Sequence, residues 1–154
     1  MIQHVAREIA AADVESCLDF YAILGFVQVP VPDGIAGRAV WCERAGTQVH
    51  LLLAPDATPA RGHIAVVVDD YNAAVVALRD AGHEVQPRRE HWGSPRSYVR
   101  DPAGHLVEVM AFAPGGASGA SGASGAGTPG AAGAAGAPGA PGCAGGAGLA
   151  GAPG

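Results

Sequence analysis

The chain has 154 residues, with 14 acidic groups against 9 basic ones, and every basic residue is Arg, so the formal net charge is −5. Scattered arginines in an acidic chain make no basic stripe for a nucleic-acid backbone. No uninterrupted apolar run reaches the roughly 20 residues that a membrane span requires, so neither nucleic acid nor a membrane is an expected partner and a small-molecule ligand is.

Residues 2–9 read as a strand. Asp13 is the expected N-cap of a helix whose apolar face is Val14, Cys17, Leu18, Tyr21 and Leu24, and Gly25 ends it. A short strand over 26–29, a turn-rich loop over 30–37, and strands over 38–43 and 48–53 follow. The same order then repeats: strand 62–68, helix 70–81, and strands 84–87, 96–100 and 106–111. The repeat is visible in the letters. Gly25-Phe-Val-Gln-Val-Pro recurs as Gly82-His-Glu-Val-Gln-Pro, a separation of 57 that also aligns Asp13 with Asp70 and Tyr21 with Leu78. Further on the separation is 58, setting Gly46–Leu51 against Gly104–Val109, so that His50 answers Glu108, Arg38 answers Arg96 and Trp41 answers Val99. Repetition decides architecture before any single residue is interpreted. The expected fold is α+β, two tandem βαβββ modules at 1–57 and 58–114.

Beyond 114 the composition changes. Residues 115–154 carry no charged and no aromatic side chain, and such a stretch cannot bury enough apolar surface to offset its ordering entropy. A disordered Gly/Ala-rich tail is expected. Glycine recurs in it at every third position with one break of phase, so a collagen-like trimeric stalk is the other reading beside a flexible linker. The three cysteines, Cys17, Cys42 and Cys143, form no CxxC pair and no even framework, which suits a reducing compartment. With no basic-then-apolar leader at the N-terminus, the chain reads as cytoplasmic.

Period-two alternation separates the faces of each sheet. Ile64, Val66 and Val68 should cover the helix while His63, Ala65 and Val67 point away; Glu108 shares its face with Leu106 and Met110; His50 shares its face with Gln48 and Leu52. The polar residues thus fall on the helix-free faces. In the stretch 91–98, Arg96 is available to a substrate carboxylate or phosphate and Tyr98 to a hydrogen-bonding wall, with Trp92 at the edge; the plainer reading is a solvated turn. His83 and His105 stand in turn contexts and read as surface residues.

The two modules, with Leu18-Asp-Phe-Tyr21 to Leu24-Gly-Phe26 in the first helix, Gly62-His-Ile-Ala-Val66 opening the second module and Arg100-Asp-Pro-Ala-Gly-His-Leu-Val-Glu108 closing it, resemble the vicinal oxygen chelate superfamily of glyoxalases, extradiol dioxygenases and bleomycin-resistance proteins. The resemblance implies ligands from the first and last strands of each module. It assigns His63, Glu108 and His50 to one divalent metal, Zn, Ni, Co, Fe or Mn. The fourth place falls to Ala6 in an ungapped reading, or to His4 if two residues are inserted within Ala10-Ala11-Ala12. It implies a metal-dependent enzyme acting on a small oxygen-rich compound, around which the face and loop readings set Gln48, Arg38, Arg96, Tyr98 and Trp92. A homodimer is expected because each module covers only one face of its sheet with its own helix. The alternative within the same family is a metal-free protein that sequesters an antibiotic, as bleomycin-resistance proteins do.

Overall fold

The computed structural model describes residues 2–115; the remaining tail, its Gly-X-Y period and Cys143 lie outside the described residues. The chain forms β1 (His4–Ile9), a 3₁₀ turn (Ala11–Asp13), α1 (Val14–Ile23), β2 (Val27–Val29), β3 (Ala39–Arg44) and β4 (Thr47–Leu53). It then repeats with β5 (His63–Val67), α2 (Tyr71–Asp80), β6 (Gln86–Pro87), β7 (Arg96–Arg100) and β8 (Leu106–Met110). Each module is a four-stranded mixed sheet, ordered β1-β4-β3-β2 and β5-β8-β7-β6, whose first and last strands run parallel at its edge. A parallel pair needs a crossover, and the helix supplies it.

The echo at 25–30 and 82–87 is explained by helix termination. Gly25 and Gly82 both lie in the left-handed region, φ +87° and +86°, which a glycine enters without the penalty a side chain would incur. The helix starts differ. Asp70 caps α2 by accepting from the Ala73 N–H at 2.9 Å. Asp13 makes no side-chain cap, because the 3₁₀ turn feeds directly into α1 and brings Asp13 into helical backbone conformation.

Alternation places the core as expected. Val49, Leu51, Val66, Val68, Val107 and Val109 are buried under the helices, and Phe20, which the helix reading did not include, joins Cys17, Tyr21 and Leu24 in full burial. These residues form one cluster that takes members from both modules. Each fully buried Leu or Phe contributes about 1.5–3 kcal/mol, so the two modules share their stabilisation.

A polar link joins the modules, and it corrects the reading of His105. The residue is 2% exposed, and its turn tucks the ring inward. Its Nδ1 accepts from the Ala60 N–H at 3.1 Å, so Nε2 carries the proton and donates to the Glu8 carbonyl at 2.8 Å. Asp101 holds the His105 backbone N–H at 2.8 Å and accepts from the Tyr21 hydroxyl at 3.1 Å. Burial raises the Asp101 carboxyl above its ordinary value. His83 is half-buried and meets the Phe20 ring edge-on, so it is not a plain surface residue either.

Candidate functional site

Strand register determines which residues of the two modules correspond. In the first, Ala6 pairs with His50 and His4 with Gln48; in the second, Ala65 pairs with Glu108 and His63 with Leu106. His4 is therefore the counterpart of His63. The 3₁₀ turn at Ala11–Asp13, where the second module has no such turn, accommodates the shift. Trp41 pairs with His50 and Tyr98 with Glu108. Trp41 therefore answers Tyr98, not Val99, and Ala39 answers Arg96. Arg38 is displaced by one residue from the place expected for it: it precedes β3, is exposed, and borders a separate cavity of about 380 Å³ with Glu8, Ile35 and Leu52. The separation stays at 57 through β3 and becomes 58 only in the β7–β8 turn, which is one residue longer than the β3–β4 turn, and one residue is enough to move a side chain off a face.

On the helix-free face of the first sheet three planar side chains from neighbouring strands stack. The rings of His4 and His50 lie 4.2 Å apart at 9°, and those of His50 and Trp41 3.9 Å apart at 4°. Gln48 fixes the tautomer. Its Oε1 is an acceptor 2.9 Å from His50 Nε2, so that nitrogen carries the proton. Gln48 in turn donates to Glu43 Oε2 at 2.9 Å, and Gln3 donates to Gln48 Oε1 at 3.1 Å. Burial, and then the neighbouring His4, lower the His50 pKa below the ordinary imidazole value. The buried Trp41 Nε1 has no hydrogen-bond partner among the described residues.

The corresponding face of the second sheet carries charge. His63 Nε2 lies 2.9 Å from Glu108 Oε2, and Arg96 Nε lies 2.6 Å from Glu108 Oε1. The Arg96 contact is an ion pair without hydrogen-bond alignment, so these two buried atoms retain hydrogen-bonding capacity. Arg96 also donates to the Tyr98 hydroxyl at 3.3 Å. Tyr98 has His63 at 5.2 Å and the Arg88 guanidinium 4.7 Å from its ring centre. Trp92 supports the cluster from the side. Its indole N–H donates to the Phe112 carbonyl at 3.2 Å, and its ring lies 5.6 Å from the Arg96 guanidinium. The sequence reading passed over Arg88 and Arg89, although adjacent arginines in an acidic chain were a visible signal.

Of the residues expected to share one metal, the structure brings together two pairs, His4 with His50 and His63 with Glu108. Among the described residues no group of three or more His, Cys, Asp or Glu side chains is placed to hold an ion. Within one copy of the chain neither pair by itself fits a divalent cation: Glu108 already faces a guanidinium at 2.6 Å, and His50 is sandwiched between Trp41 and His4 with its Nε2 engaged by Gln48. A second full positive charge beside Arg96 would be repelled at short range. Cys17 and Cys42 are buried and free, and burial pushes their thiols up to about 12 and about 11, which makes them poor ligands and nucleophiles.

Comparison with known proteins agrees with this architecture. No curated protein sequence matches the chain. Among solved structures, a glyoxalase-family protein of Bacillus anthracis is 25% identical with a TM-score of 0.64, covering 71% of this chain and 93% of its own. An antibiotic-binding protein, TnmS3, of a Streptomyces species is 23% identical with a TM-score of 0.58, covering 71% and 93%. A lactoylglutathione lyase of Agrobacterium tumefaciens is 22% identical with a TM-score of 0.57, covering 71% and 92%. Enzymes and binders thus share the scaffold, and at these identities the last two likenesses speak for fold alone. The sequence pattern of the glyoxalase/bleomycin resistance protein/dioxygenase superfamily matches residues 1–109, and with the duplicated βαβββ modules this makes the chain a member of that superfamily.

Proposed function

We propose that the protein binds and sequesters a small planar molecule without a metal. The single observation that carries this reading is the Arg96–Glu108 contact at 2.6 Å, in which a fixed guanidinium from the same sheet supplies the countercharge that a metal would supply. The parallel His4–His50–Trp41 stack and the Tyr98 ring support it, because flat, partly exposed aromatic surfaces accept planar ligands at small entropic cost.

Each sheet has one face under its helix and the other free, and β1 and β5 are unpaired on their outer sides. A homodimer in which the first-module face of one copy meets the second-module face of the other completes the cavity from both kinds of surface. The described helices include none long and apolar enough to cross a membrane. The two free, buried thiols are what supports a place in the cytoplasm.

The test is thermal shift and calorimetry of chelator-treated protein against planar aromatic antibiotics, with and without Zn, Ni, Co, Fe or Mn. The reading expects binding that is indifferent to chelator. Turnover of any vicinal-oxygen substrate on addition of a metal would replace it with the metal-enzyme reading.

A further inference from the structure

In a chain of net charge −5, three of the nine basic residues stand within nine positions, Arg88, Arg89 and Arg96. Folding makes them converge. The segment leaves β6 at Pro87, turns through Gly93 and returns as β7, so that Arg88, Arg89, His91, Arg96 and Tyr98 line one cavity of about 330 Å³. The turn is held in place: Ser94 is fully buried and accepts from the Phe112 N–H at 3.0 Å, and the Arg88 N–H donates to the Arg96 carbonyl at 3.0 Å.

Among the described residues, Arg96 pairs with Glu108, whereas Arg88 and Arg89 pair with no carboxylate. Guanidinium groups stay protonated at any physiological pH, so Arg88 and Arg89 bring positive charge to the cavity without a paired carboxylate. Arg88 lies over the Tyr98 ring at 4.7 Å, and the backbone carbonyl of Arg89 accepts from Arg96 Nη1 at 3.5 Å. The Arg88 and Arg96 forks thus lie over one aromatic wall, 4.7 and 5.6 Å from its centre, and Arg89 lines the same cavity. Planar forks recognise a carboxylate or a phosphate through paired, charge-assisted hydrogen bonds.

We infer that this cavity takes the acidic group of an aromatic ligand, a carboxylate or phosphate seated between Arg88 and Arg89 with the attached ring against Tyr98. The inference rests on the binding reading above and names its ligand class, an anionic aromatic compound and not a cationic drug.

The probes are 2-naphthoate, its neutral amide 2-naphthamide and inorganic phosphate, titrated calorimetrically into the full chain with chelator present. Naphthoate is expected to bind at least about tenfold more tightly than the amide, to be displaced by phosphate and to weaken with added salt. Arg89→Gln should reduce naphthoate affinity about tenfold, while Arg79→Gln, on the exposed last turn of α2, should leave it unchanged. Equal binding of acid and amide, insensitivity to Arg89→Gln, or no naphthoate binding at millimolar concentration by folded protein would overturn the acid site. Chelator-independent binding of the amide with no preference for the acid overturns this inference and keeps the binding reading. Naphthoate binding that appears only when the chelator is replaced by added Zn, Ni, Co or Mn overturns the metal-free reading instead.

Discussion

The two helix-free faces are built on one register and carry opposite chemistry. At matched positions the first has His4, His50, Trp41 and Ala39, and the second has His63, Glu108, Tyr98 and Arg96. The first is a neutral stack whose central imidazole is kept uncharged by burial. The second is an ion cluster in which a buried carboxylate lies 2.6 Å from a guanidinium. Duplication preserves where side chains point, while two exchanges, His50 for Glu108 and Ala39 for Arg96, decide whether a face binds through flat surface or through charge.

The comparison presupposes a common scaffold, and the largest expected effect comes from removing its link. His105→Ala deletes a buried ring and leaves the Ala60 N–H and the Glu8 carbonyl without their partner, which should cost about 3–4 kcal/mol and disturb both faces. Urea unfolding followed by circular dichroism measures this; a loss under 1 kcal/mol would mean that the modules do not depend on that link.

Next comes the charged face. Arg96→Gln leaves Glu108 buried with only His63 beside it and should cost about 2–3 kcal/mol. Adding Glu108→Gln in the same chain should restore much of that loss, and a double-mutant cycle reads the coupling. The matched change on the neutral face, His50→Gln, should cost about 1 kcal/mol or less, since a half-open stack is lost and no charge is stranded. Equal costs on both faces would remove the distinction.

The neutral face also has a pH signature. His50 has a folded-state pKa lowered first by burial and then by His4, so below the unfolded imidazole value, about 6.5, the unfolded chain binds the proton more readily than the folded one. Its contribution is therefore fully present above that value and is lost as the pH falls through the lowered folded pKa. Stability measured from pH 7.5 to 4.5 should show a decline that His50→Gln makes shallower. An unchanged slope in the variant would place the titration elsewhere.

Both faces were legible as faces before the structure, because alternation in three strands determines which side each residue takes. The equivalence of His50 and Glu108 was legible too, since the residues around Gly46 and Gly104 match. Two things were not. Strand-to-helix spacing changes by two residues at Ala11–Asp13, and the turn between the third and fourth strands, not the loop before the third, changes it by one, so constant-separation counting left His4 open and misassigned Arg38 and Trp41. Linear sequence also shows nothing of what a turn packs against: the Asp101–His105 turn looks solvated in sequence and lies between modules in the fold. The Arg96–Glu108 pair escaped for a related reason, since two residues on adjacent strands of one face were each assigned outward, to substrate and to metal, when their nearest charged partner was the other.

The smallest expected effect concerns the tail. Deleting 116–154 should leave the urea midpoint and ligand binding unchanged, because those residues contain no charged or aromatic side chain that either face could use. A lowered midpoint or a change of oligomeric state would show that the tail supports the domain.

The most direct test of the metal-free account is calorimetric titration of Zn, Ni, Co and Mn into chelator-treated wild-type protein and into Arg96→Gln. With Arg96 as the countercharge of Glu108, the wild type should bind none of these ions below millimolar concentration, and any gain in affinity should appear in the variant, where the carboxylate is freed. Micromolar or tighter binding by the wild type, lost on Glu108→Gln, would contradict the account and restore the metal to the site.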